Sequence, residues 1–326
     1  MKHFFCLLCG MAIILLCRTD SIIASTCSDI SKKDSLGGDT DILNVVEYDY
    51  ETHAEHFYEL SLSKLRKENQ LLSSSIQNSN GNIMEAYIPE GLPTVDDIQP
   101  KAILPGKKWA PVSSVNVYPY SAVLAMKMGW ENEDGEMEWY YGTGFLEGYD
   151  VVATAGHNMW DADYGWVDDC RFYVRQAGST YSLTDYYHPK EWTCATNYTL
   201  NLDTNYDWCA ITLWDNLGSA NGWFGRGWSN GDFDNEAVTV SGYPGTAGIQ
   251  YTGSGITSNS TYYKVCYDIN TLPGNSGSPV YTPSYNAWAI HTASYSSTVN
   301  WGNRITEWLY TILTNRALAG AAIYGS

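Results

Sequence analysis

Positive charge is scarce in this 326-residue chain: 18 Lys and Arg stand against 36 Asp and Glu, a formal net charge of −18. Nucleic acid and anionic membrane surfaces bind through clustered cations, so both are poor partners. Charge of either sign is thin, at 17% of residues, against 44% hydrophobic content, which excludes a disordered chain. Long hydrophobic runs are missing too, for the apolar stretch Phe4 to Leu16 is too short to span a bilayer comfortably. No cysteine spacing fits a zinc site. The acidic cluster "DADYGWVDD" (161–169) lacks the terminal Glu of an EF-hand loop, because position 172 is Phe. It reads as a solvated loop, and the sequence points to no metal and no cofactor.

Aromatics, by contrast, are plentiful, with 13 Trp and 26 Tyr. That profile suits an exported, β-rich protein. The N-terminus "MKHFFCLLCGMAIILLCRTDSIIAST" has a basic start at Lys2, an apolar run, and small residues Ala24 and Ser25. It reads as a secretory signal peptide over residues 1–25, and the expected location is extracellular. An uncleaved anchor is weakened by the short run and by Arg18 and Asp20, and a lipid anchor on Cys27 by the preceding Thr26. Cys6, Cys9 and Cys17 leave with the signal, and Cys27 lies just beyond it. The body keeps Cys170, Cys194, Cys209 and Cys266, an even number that permits disulfides in an exported protein. Cys170–Cys194 is the favoured pair, since the stretch between reads as a strand excursion. Cys209 and Cys266 sit among apolar residues and read as buried thiols.

Two textures divide the rest. Residues 26–101 include "SLSKLRKENQLLSSSIQNSNGN", polar and partly helical, and form a candidate pro-segment. From residue 102 to 326, short apolar-aromatic runs alternate with glycine, as in "YSAVLAMKMGW", "VVATAGH", "DWCAITLW" and "SPVYTP", the pattern of an all-β barrel or sandwich. Near the end, Ile305, Trp308, Leu309, Ile312 and Leu313 recur at helical spacing and predict an amphipathic C-terminal helix.

Within the β region, His157 ends an apolar strand, Asp207 stands at the mouth of another, and Ser276 lies in the rigid turn "PGNSGSPV" (273–280). Each alone has an ordinary structural reading. Their chain order, His then Asp then Ser, is one arrangement of a nucleophilic triad. The competing α/β-hydrolase plan requires G-x-S-x-G and a later acid and His. Here the fifth position is Ser278, and no Asp or Glu lies between Ser276 and His291.

Together "ATAGH", "NYDWCAI", "VSGYPG" and "GNSGSPV" resemble the trypsin-like serine proteases, and more narrowly the bacterial glutamyl endopeptidases of staphylococcal and bacillar type. The likeness covers about residues 102–316. It implies two six-stranded antiparallel barrels with the site between them, and a secreted serine endopeptidase acting on proteins or peptides as a monomer. It further implies His157, Asp207 and Ser276 as the triad, and the N–H groups of Gly274 and Ser276 as the oxyanion hole. Counting from Ser276 places Thr271 at −5 and His291 at +15, the family's positions for gripping a glutamate side chain, with Ser294 as a third pocket hydroxyl; aspartate is expected to be cut more slowly. One departure stands out: a cysteine pair common in relatives is replaced by Asn158 and Gly142. The resemblance also places the mature start near Ala102, released by a Lys-specific activating protease. Cleavage at Lys107–Lys108 or after Glu90 are the alternatives. The rival readings are a same-fold protease of different or narrow specificity and an inactive, protease-like binding protein.

Overall fold

The computed structural model describes residues 41–75, 84–95, 109–294 and 299–325. The expected signal peptide and the expected cut after Lys101 lie outside them. Upstream of residue 102 the chain forms strands β1 (Ile42–Asp49) and β2 (Ala54–Ser61) and helix α1 (Leu62–Ser75). Next come β3 (Val123–Glu131), β4 (Met137–Leu146), β5 (Val151–Thr154), β6 (Asp169–Val174), β7 (Pro189–Ala195) and β8 (Cys209–Leu213). A second group comprises β9 (Ala237–Gly242), β10 (Tyr251–Ser258), β11 (Lys264–Tyr267), β12 (Pro279–Tyr281), β13 (Asn286–Ser294) and β14 (Asn300–Arg304). Helix α2 (Glu307–Tyr324) follows.

These are the two barrel-like sheets and terminal helix expected from the sequence. The second group closes on itself, β13-β12-β9-β10-β11-β14, because β13 also pairs β14. Val238, Val240, Val265, Tyr267, Val280 and Ala289 fill its interior, since alternate residues of each strand face inward. The first sheet runs β2-β1-β7-β8-β5-β4-β3-β6. Its six later strands form the first barrel, filled by Trp192, Phe145, Phe172, Leu124 and Leu146. β1 and β2 extend that sheet from the outer edge of β7.

Helix α2 starts where Thr306 accepts the Leu309 N–H as its cap. It buries Trp308, Leu309, Ile312 and Leu313, the stripe that the spacing predicts. A buried ion pair anchors it: Arg226 Nε donates to Glu147 Oε2 at 2.7 Å, and its Nη1 reaches Thr314 Oγ1 at 3.2 Å.

The expected Cys170–Cys194 disulfide does not form. Cys170, Cys194 and Cys209 are all buried free thiols. Cys170 lies on β6, its Sγ 3.9 Å from Met159 Sδ, whereas Cys194 on β7 stands in register with Cys209 on β8. The stretch between the two cysteines is indeed a strand excursion, but it carries them to opposite ends of the six-strand order. Cys266 is disulfide-bonded, and its partner is none of these three.

Candidate active site

The end of β5 runs into a single 3-10 turn, Gly156–Asn158, which presents His157 at the rim of the first barrel. Asp207 follows another such turn, Thr204–Tyr206, immediately before β8. Because β8 pairs β5, the two turns become neighbours. Asp207 Oδ1 accepts the backbone N–H of His157 at 2.9 Å, and Oδ2 lies 2.8 Å from Nδ1. An ionised carboxylate only accepts, so Nδ1 carries the proton and Nε2 keeps its lone pair. Nε2 is buried and makes no hydrogen bond among the described residues.

The electrostatics agree with this tautomer. Burial opposes the imidazolium, yet the charge and hydrogen bond of Asp207 outweigh it and hold His157 above its ordinary value. Burial likewise pushes Asp207 up, but His157, with Lys264 behind it, holds the carboxyl below the usual range. Lys264 was not legible as a site residue. It is buried, donates to the Thr204 carbonyl and to Asn303 Oδ1, and has its pKa lowered to about 8 by burial, with Asp207 and Asp203 opposing.

Ser276 sits in the turn between β11 and β12, where two glycines have no substitute. Gly274 has φ +99°, and a Cβ there would lie 2.6 Å from both Gly245 N and Tyr243 O. Gly277 has φ +89°, and its Cβ would lie 1.9 Å from Thr143 O. Only glycine combines positive φ with so close an approach. Neither the Gly274 nor the Ser276 N–H has an acceptor among the described residues. The first barrel holds this turn from behind: Thr143 Oγ1 donates to Gly274 O at 2.8 Å, and Thr143 N to Ser276 O at 2.9 Å.

Asn158 acts in the same place. Its Nδ2 donates to Ser276 O and to Thr154 Oγ1, both at 2.9 Å. A Cβ on Gly142 would stand 2.8 Å from that amide nitrogen. The two positions lacking the family's cysteines therefore face each other, and a buried amide fills the gap.

On the other side of the turn, Gly277 N donates to His291 O at 2.8 Å, which fixes β13 against the Ser276 turn. His291 is 3% exposed, and its Nδ1 lies 2.6 Å from the hydroxyl of buried Tyr267. Burial, with His157 adding, lowers its pKa to about 3, so the ring is neutral at physiological pH. Thr271 Oγ1 is buried and has no hydrogen-bond partner among the described residues. Ser294 ends β13 in register with Asn300, and its side chain lies outside the described atoms. Tyr267 was missed because a Tyr in "KVCYDIN" reads as an ordinary strand aromatic. His188 Nδ1 lies 2.9 Å from the Cys170 carbonyl oxygen.

No family model matches the chain. It is 32% identical over 222 residues to a glutamyl endopeptidase of Bacillus licheniformis, covering 63% of this chain and 65% of that protein. The chain thus spans just under two thirds of that relative's length. It is also 32% identical over 225 residues to an extracellular metalloprotease of Bacillus subtilis, covering 65% of this chain and 69% of that one. The donors for a metal do not fit that second name: among the described residues no group of three or more His, Cys, Asp or Glu could hold an ion. A solved Glu endopeptidase superposes with TM-score 0.56 at 20% identity, over 67% of this chain and all of its own. Protease Anisep from Arthrobacter nicotinovorans gives 0.52 at 16%, over 63% and 99%. With the fold shared and the sequence likeness spanning most of the two-barrel region's length, the chain belongs to the bacterial glutamyl endopeptidase family of trypsin-like serine proteases.

Proposed function

We propose that the protein is a secreted serine endopeptidase that cuts peptide bonds after glutamate, and after aspartate more slowly. The supporting observation is His157, held by Asp207 through Nδ1 with Nε2 open, next to the Ser276 turn. In this reading Ser276 Oγ attacks the scissile carbonyl carbon while His157 Nε2 takes its proton. The carbonyl oxygen becomes an anion, received by the N–H groups of Gly274 and Ser276. His157 returns the proton to the leaving amine, and the C–N bond breaks. A water, deprotonated by His157, then releases the acyl group from Ser276. Asp207 stabilises the imidazolium throughout. Each oxyanion donor of this kind is worth about 10²–10³ in rate.

Glutamate selection rests on His291, Thr271 and Ser294. Tyr267 adds a reason: its hydroxyl, 2.6 Å from Nδ1, fixes the orientation of the neutral His291 ring. Thr271 Oγ1, buried and unpartnered, gains an acceptor when a carboxylate enters, removing a desolvation cost. The substrates are proteins or peptides, the working form is a monomer, and an activating protease cuts upstream of the two-barrel region. Among the described residues no helix is long and apolar enough to cross a membrane.

The test is mass spectrometry of a denatured protein digested by the processed chain, with Ser276→Ala as control. Cuts after Glu that vanish in the control are expected. Ser276-dependent cuts elsewhere would keep the triad and remove the glutamate pocket. No Ser276-dependent cuts from a processed chain would leave a protease-like binding protein.

A further inference from the structure

The described residues upstream of 102, 41–75 and 84–95, are built into the protein. β1 adds to the free edge of β7, with Val45 opposite Ala195, Val46 opposite Cys194 and Tyr48 opposite Trp192. Leu43, Val45, Val46, Tyr48, Leu62 and Leu65 are all buried and belong to the same core as the first barrel. The Tyr48 ring stacks on Trp192 at 4.6 Å. Polar contacts follow the apolar ones. Asn69 Nδ2 donates to the Thr311 carbonyl at 3.0 Å, and Arg316 bridges Glu47 of β1 and Glu191 of β7 at 3.1 and 3.3 Å.

A second stretch, residues 84–95, docks independently. Tyr87 and Trp223 exchange both backbone hydrogen bonds, at 3.0 and 3.1 Å, and their rings stack at 4.2 Å. Tyr118 N donates to Pro93 O at 2.8 Å, and Val95 N to Tyr118 O at 2.9 Å. The barrel side is shaped for this chain: a Cβ at Gly222 would lie 2.5 Å from Tyr87 O, and one at Gly225 would lie 2.7 Å from Ala86 N. Hydrogen bonds and ion pairs of residues 41–75 and 84–95 reach β7, Thr196, α2, Trp166, Tyr118, Trp223 and Arg226. Among the described residues none goes to His157, Ser276 or His291.

We propose that residues 41–95 are not discarded when the chain is cut near Ala102, but stay bound as a second chain of the mature protein, completing the sheet of the first barrel. A strand edge carrying Trp192 and Cys194 in its core is a poor surface to expose, since unpaired N–H and C=O groups recruit other chains. Strand addition combined with a packed helix is a strong mode of peptide capture. Cleavage then changes the new N-terminus without stripping β7.

The test uses the full Ser276→Ala chain with a site-specific protease sequence inserted between Lys101 and Ala102. It is cut to completion with a thiol reductant present, so that packing alone holds the pieces. Gel filtration and native mass spectrometry are expected to return a one-to-one complex of both pieces. Separate elution, whether the larger piece stays folded or precipitates, overturns the proposal. Hydrogen exchange gives a second reading: amides of Val45–Tyr48 and of β7 are expected to stay protected after the cut, and their loss of protection also overturns it. Both readouts are taken without the nucleophile, so they are independent of the peptidase reading.

Discussion

Asn158 Nδ2 donates two buried hydrogen bonds, one of them to the Ser276 turn, and that makes it a sensitive place to perturb the site. In Asn158→Ala, Ser276 O loses one of its two donors and keeps Thr143 N, while Thr154 Oγ1 keeps its own bond to Thr143 O at 2.7 Å. The amide is 2% exposed, so water does not readily take its place. Two neutral bonds at about 1 kcal/mol each, with the small void left behind, give roughly 2–3 kcal/mol. For a domain of this size that lowers Tm by about 5–10 °C. Asn158→Asp keeps the shape but sets an acceptor against the Ser276 carbonyl oxygen in a buried position. It is expected to destabilise more than alanine. Calorimetry in the Ser276→Ala background measures both without self-digestion. With Ser276 present, a Glu-containing peptide substrate is expected to show kcat reduced about tenfold in Asn158→Ala and KM little changed, because the nucleophile is misplaced and the pocket is not. If alanine leaves Tm and kcat unchanged, or aspartate is as stable as asparagine, the amide does not hold the Ser276 turn.

Asp207→Asn is expected to lower kcat by about 10⁴, since the imidazole then adopts the wrong tautomer. In the parent, kcat/KM should rise with pH through a midpoint above the ordinary imidazole value, because His157 must be neutral to act and Asp207 holds its pKa up; a midpoint below that value would contradict the pairing. His291 has the opposite sign: with a folded pKa of about 3, the unfolded chain alone takes up a proton below its ordinary value. Stability is therefore lost as pH falls below about 6.5, by up to about 1.4 kcal/mol per unit. Chemical denaturation at pH 6.5 and 4.5 should show His291→Gln losing about 2 kcal/mol less than the parent, and equal losses would mean that the ring is not desolvated. Arg226→Ala leaves Glu147 buried without its cation, and Glu147 is already raised to about 7 by burial against the pull of Arg226. A loss of about 3–5 kcal/mol is expected in urea titrations, and a loss under 1 kcal/mol would show that the pair does not anchor α2.

The sequence by itself determined the strands, the terminal helix and the order His157, Asp207, Ser276. It also marked the turn at 273–280, because alternation, helical spacing and turn glycines are properties of neighbours along the chain. The resemblance it carried pointed to His291 and Thr271 by spacing alone. What it did not hold are the contacts made across long separations. Asn158 reaches Ser276 across 118 positions and Lys264 reaches Thr204 across 60, and neither residue type announces such a role. Cys170 and Cys194 looked like a pair because the stretch between them reads as a strand excursion, yet the strand order sets them on β6 and β7 as separate buried thiols. The polar stretch before residue 102 read as a detachable segment from its composition. Only the tertiary structure put Val45, Val46 and Leu65 into the barrel's own core, because burial is decided by which distant surfaces meet and not by the average character of the segment.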